Sequence, residues 1–139
     1  MAYHVTASQH GPIALNQVTG SYAELSGIYA GDGVTINLQD LGGMPSFSYQ
    51  YAGSPVYGIP SWAAPFGRSN GEGSWLITHL PGSQDAAIEL ELVEPVIQGT
   101  PVKPGPSIVL ALIGTPANPT LACQHPDPGT SCTLPRTLH

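Results

Sequence analysis

Seventeen glycines and fifteen prolines are spread through the 139 residues, so turn signals recur too often for a long helix to form between them. What lies between these breakers alternates. In DAAIELELVEPV, Asp85 to Val96, a period of two puts Ile88, Leu90 and Leu92 on one side and Glu89 and Glu91 on the other, as in a half-buried antiparallel strand. GVTINLQDL carries Val34, Ile36 and Leu38 on one face, and SFSYQY carries Phe47, Tyr49 and Tyr51. SWLITHL sets Trp75, Ile77 and His79 opposite Leu76, Thr78 and Leu80. SYAELSGIYA, loosely alternating around Tyr22, Leu25 and Tyr29, and SIVLALI complete the set. The phrases AGDG, LGGMP and LPGSQD place Gly, Pro or Asp where a strand must reverse.

Short strands at this spacing predict an all-β fold, an antiparallel sandwich or small barrel, and the sandwich, immunoglobulin-like or jelly-roll-like, is the expected form. Parallel α/β architecture needs crossover helices that this pattern does not supply. Residues 18–113 are expected to form the sandwich, residues 1–17 an N-terminal arm, and residues 114–139, GTPANPTLACQHPDPGTSCTLPRTLH, an extended Pro-rich C-terminal arm. Proline cannot donate to a strand ladder, which argues against interior strands in that tail. SIVLALI is apolar on both faces, so it is either central between two covered layers or placed to meet another subunit.

Charge narrows the function classes. Only 9% of residues are charged, the net charge is -6, and the basic residues are Lys103, Arg68 and Arg136. Phosphate backbones need clustered Lys and Arg, so nucleic acid and anionic membrane surfaces are not expected partners. A surface this sparsely charged is expected to lie largely against something else. The first residues lack the basic start and apolar centre of a secretory signal. The chain is therefore expected to be made in the cytoplasm or to be a mature form, and Met1 favours the first.

Candidate chemistry is thin. Cys123 and Cys132 enclose QHPDPGTS; a disulfide is the leading expectation, free thiols or a metal site with His125 the alternatives, and a disulfide would imply maturation outside a reducing cytosol. His79 could pair with Asp85 or Ser74, but no nucleophile elbow accompanies it. Glu89 and Glu91, about 7 Å apart along a strand, read as solvated side chains rather than an acid pair. Asp32, Asn37 and Asp40 lack the dense acidic pattern of a calcium loop. No enzyme, cofactor or metal is expected. The interval Ala52 to Ser74 holds Val56, Tyr57, Ile59, Trp62 and Phe66 between breakers, as a lid over one end of the sandwich or as a contact loop for a partner or glycan.

GVTINLQDLGGMPSFSYQYAG resembles the strand, Gly-Pro turn and aromatic strand of immunoglobulin-like sandwich modules, with WLITHLPGSQDAAIELELVEP as a later strand pair. The Cys and Trp framework of antibody domains is absent from these segments. In style, few charges and proline-rich ends, the chain also resembles accessory capsid or decoration proteins of double-stranded DNA phages. That resemblance implies a structural virion protein, non-enzymatic, assembling as a homo-oligomer, a trimer favoured, on a capsid or other particle lattice. The expected contact residues are Tyr57, Ile59, Trp62, Phe66, Ile108, Leu110 and Leu112. The alternative is a carbohydrate-binding or adhesive module, extracellular or at a cell surface, that stacks Tyr57, Trp62 and Phe66 on sugar rings.

Overall fold

The computed structural model describes residues 11–52, 61–93, 98–99, 105–123 and 132–139. Eight strands run antiparallel in sequence order: β1 (Gly27–Gly31), β2 (Val34–Leu41), β3 (Met44–Tyr51), β4 (Asn70–His79), β5 (Ala86–Leu92), β6 (Ser107–Thr115), β7 (Asn118–Cys123) and β8 (Thr133–Leu138). Each pairs with its neighbour, and β8 pairs back onto β1, so the sheet closes into a barrel. The expected open sandwich is thereby corrected. Local alternation is the same in both forms; only the long-range pairing of first and last strands distinguishes them.

The C-terminal arm is corrected with it. β7 and β8 come from the proline-rich tail, with Pro119 opposite Gly114 and Pro135 opposite Thr120. Each proline removes one donor from its ladder without ending the strand. The N-terminal segment is tied in as well: Ile13 N–H donates to the Leu112 carbonyl and Ala86 N–H to the Ile13 carbonyl.

Turn chemistry accounts for the first two hairpins. Asp32 and Gly33 join β1 to β2 with φ of 54° and 78°, and Gly42 and Gly43 join β2 to β3 with φ of 60° and 80°. Positive φ at both central residues is the two-residue turn whose twist suits a hairpin, and Asp-Gly and Gly-Gly are among its preferred pairs.

Alternation then sorts the wall. Val34, Ile36, Leu38, Phe47, Tyr49, Trp75, Ile88, Leu90, Leu92, Ile108, Leu110, Leu112, Leu121 and Leu134 point inward into one continuous core. An eight-stranded barrel is just wide enough to be filled by such side chains. Its two mouths are covered. Where β1 begins, residues 11–25 lay Ile13, Val18 and Leu25 over the opening, the last on the single-turn helix α1 (Tyr22–Leu25). At the other mouth a 3-10 helix, Ser61–Phe66, inserts Trp62, Ala63 and Phe66.

Close strand approach needs glycine at Gly31 and Gly73. A Cβ at Gly73 would sit 1.9 Å from the Glu91 carbonyl oxygen, and one at Gly31 2.2 Å from that of Thr133. Both neighbours are backbone, so relief means moving a strand. Gly73→Ala is expected to destabilise the barrel by about 3 kcal/mol, while Ser74→Ala, on the exposed face of the same strand, should change stability by less than about 0.5 kcal/mol. Urea titration of both variants checks the pair; equal midpoints would remove the close-approach argument.

Candidate functional site

The residues singled out from sequence do not converge on one site. Tyr57 and Ile59 lie outside the described residues. Trp62 and Phe66, expected in a lid over one end or in a contact loop, belong to the core: Phe66 stacks on Phe47 with centroids 6.2 Å apart and meets the edge of Tyr49 at 5.0 Å. Rings buried to 6% and 2% exposure cannot lie against a sugar or a neighbouring subunit. Ile108, Leu110 and Leu112 are corrected for the same reason, since they face into the barrel and Val109 is the exposed apolar residue of β6. On the outer side of this run Val109 is exposed, Ile113 is half-buried, and Ala111 is covered in a second apolar cluster with Leu80 and Ala87.

The titratable candidates are dispersed. His79 and Ser74 stand on opposite faces of β4, and the His79 Nδ1 lies 3.0 Å from the Leu80 carbonyl oxygen. Asp85 receives its own backbone contact from Ser83, whose hydroxyl oxygen accepts the Asp85 N–H at 2.9 Å. Glu89 and Glu91 point outward, half-buried, opposite Leu76 and Ser74. Asp32 sits in the turn before β2 and Asp40 near that strand's far end, so their oxygens cannot share a cation. Among the described residues no group of His, Cys, Asp or Glu is clustered to hold a metal ion, and no helix is long and apolar enough to cross a membrane. Cys123 and Cys132 form a disulfide joining the end of β7 to the start of β8, a loop closure worth about 2 to 3 kcal/mol.

Two polar devices lie at the mouth where β1 begins. The Arg136 guanidinium donates to the carbonyls of Glu24, Ser26 and Ala117, tying β8 to the chain before β1 and to the β6–β7 turn. The Tyr29 hydroxyl donates to the Leu25 carbonyl at 2.6 Å, and burial pushes it up to about 12 despite the nearby Arg136 charge, which acts the other way. Tyr22 accepts the Ile77 N–H on its hydroxyl at 3.0 Å and leans on Trp75 at 4.8 Å. The indole N–H of Trp75 in turn donates to the Gln39 carbonyl. These groups close the barrel; none meets a reacting partner.

What the structure offers outward is its wall. Successive ladder positions set Thr35, Gln50 and Asn70 in one row, Asn37, Ser48 and Glu72 in the next, and Gln39, Ser46 and Ser74 in a third. Glu72 is the one carboxylate in this grid of hydroxyls and amides. Beyond it the register continues into an apolar row. Leu41 stands opposite Met44, Leu76 lies two residues past Ser74 as Met44 lies two before Ser46, and Val109 follows across Glu89. Leu41, Met44, Leu76 and Val109 are 61%, 73%, 46% and 40% exposed. Below them a shallow groove of about 330 Å³ runs between Gln39, Leu41, Ser46, Glu72 and Val93. The sequence signal for this row was present: Leu41 and Met44 flank the Gly-Gly turn, and Leu76 is the off-phase apolar residue of SWLITHL.

Two expected outcomes follow from the buried aromatics. Trp62→Ala should cost about 3 to 5 kcal/mol by emptying the barrel mouth, read as a lowered urea midpoint. Tyr29 binds its proton more tightly folded than unfolded, so stability is intact below about pH 10 and falls as pH rises from 10 towards 12, by about 2 to 3 kcal/mol. Tyr29→Phe should flatten that decline, measured by urea unfolding at pH 8 and pH 11. No protein-family model matches the chain, and no curated protein or solved structure matches it, so a functional reading starts from the wall described above.

Proposed function

We propose that the chain is a structural, non-enzymatic protein that works through its outer wall, associating with further copies of itself and with a surrounding particle. The exposed row of Leu41, Met44, Leu76 and Val109 carries the reading. Isolated exposed apolar residues are ordinary on any protein; Leu41, Met44 and Leu76 in register across three adjacent strands, with Val109 on the far side of Glu89, form a patch, and patches of that kind mark association surfaces. The adjoining grid of hydroxyl and amide side chains has little charge to desolvate, which favours close apposition of another neutral surface.

Sparse charge over the whole chain supports the same conclusion, as does the filled interior, which leaves the barrel's surface rather than its lumen for interaction. A virion is the proposed setting, as capsid decoration or another accessory protein, because a small domain with few charges is suited to being held on several sides by neighbours. The low charge and the similarity in style to such proteins support this setting. The contact residues differ from those expected from sequence. Met44 and Leu76 replace Trp62 and Phe66, and Val109 replaces Ile108, Leu110 and Leu112. The sugar-binding alternative has two of its three rings in the core.

Light scattering over a wide concentration range tests the reading. The unaltered chain should give the mass of a closed oligomer, and Met44→Glu combined with Leu76→Glu should shift it to monomer without lowering the urea midpoint by more than about 0.5 kcal/mol, since both positions are exposed. An unaltered chain that stays monomeric throughout, or a double variant with unchanged mass, removes the apolar row as a self-association surface.

A further inference from the structure

We propose that the Cys123–Cys132 disulfide is a redox latch on the seam of the barrel, so that its reduction releases β8 while the remaining strands stay paired. The inference is independent of the assembly reading and rests on how unevenly the barrel is closed. β2 meets β3 over a ladder running from Val34–Tyr51 to Leu41–Met44, and β4 meets β5 from Gly73–Leu92 to His79–Ala86. β8 makes fewer ladder pairs with its neighbours, although its backbone lies close to β1 from Gly27 to Gly31. It pairs with β7 only at Thr120–Pro135, Leu121–Leu134 and Ala122–Thr133, and with β1 only at Ile28–Leu138 and Tyr29–Arg136, with a register shift between the two.

Pro135 weakens the strand further by supplying no N–H. Its inward side chains are also few: Leu134 is fully buried, whereas Thr133, Pro135, Thr137 and Leu138 are exposed. What compensates is concentrated at the two ends of the strand. At the far end Arg136 reaches the Glu24, Ser26 and Ala117 carbonyls, and the Thr137 hydroxyl donates to the Ile28 carbonyl at 3.2 Å. At the near end stands the disulfide, reinforced by the Cys123 N–H donating to the Cys132 carbonyl at 3.1 Å. Cutting the covalent tie leaves β8 held by a short ladder, the Leu134 side chain in the core, the Thr137 hydroxyl and one guanidinium.

The chemistry requires a dithiol reductant. Its thiolate attacks the sulfur of Cys123, which is half-buried, and displaces the Cys132 thiolate, which is buried and takes up a proton. The second thiol of the reductant resolves the mixed disulfide, leaving Cys123 and Cys132 as thiols and the reductant as a disulfide; two electrons and two protons pass to the chain. Release of β8 then bares the ladder edges of β1 and β7, the kind of edge that templates pairing with another strand.

Native-state hydrogen exchange on the full chain, oxidised and after dithiothreitol, tests the latch, with Cys123→Ser combined with Cys132→Ser as a reductant-free counterpart. Local release predicts that amides of β8 and those facing it on β1 and β7 lose protection about a hundredfold, the loop-closure contribution of a bridge spanning nine positions. Amides of β3, β4 and β5 should change by less than about threefold. Two outcomes overturn the proposal: unchanged protection in β8, or loss of protection by all strands together, which would make the disulfide a general staple of the fold.

Discussion

Closure of the sheet by β8 is the constraint that turns a curled antiparallel sheet into a barrel with one inside. An open eight-stranded sheet would present two edges of unpaired N–H and C=O groups, and β8 covers both by lying between β7 and β1. The approach is close enough that β1 must carry glycine at both ends of the contact: a Cβ at Gly27 would meet the Leu138 carbonyl oxygen at 2.4 Å, and one at Gly31 that of Thr133. Arg136, one of three basic residues in the whole chain, has its guanidinium committed to this seam. Charge-assisted bonds to three carbonyls make a single cation an effective tie where the ladder is short.

Once the sheet is closed, the fate of the apolar residues follows. The barrel has one inside, and its diameter admits side chains and little else. Aromatics that the linear pattern leaves in connections are drawn to the mouths, where Trp62 and Phe66 cover one and the chain from Ile13 to Leu25 covers the other. Among the described residues the buried Trp62 Nε1 has no hydrogen-bond partner, and the ring packs into the core. With most of the apolar content spent inside, the outer wall of β2, β3 and β4 is left with hydroxyls and amides, and the exposed Leu41, Met44 and Leu76 stand out against it.

Much of the strand pattern was legible in the sequence because it is local. Alternation placed Val34, Ile36 and Leu38 on one face of β2 and Ile88, Leu90 and Leu92 on one face of β5, and both faces are the buried ones. Gly-rich turns located the first hairpins for a similarly local reason, since only certain residues accept positive φ. The proline-rich tail misled because proline lowers strand propensity position by position, whereas β7 and β8 are held by Leu121 and Leu134 in the core, by the disulfide and by Arg136. SIVLALI misled differently. Its inward face alternates as usual, but Ala111 on the outer side is buried beside Leu80 and Ala87, and the exposed Val109 marks where that side opens.

The sequence by itself determined where strands alternate and where they turn, since both are set by sterics and hydrophobic periodicity over a few residues. Tertiary structure alone decided that the sheet closes, which aromatics become plugs and which face of β6 meets solvent. Those outcomes depend on pairings such as Thr137 with Ile28, 109 positions apart, and no local preference encodes which distant edge a strand will meet.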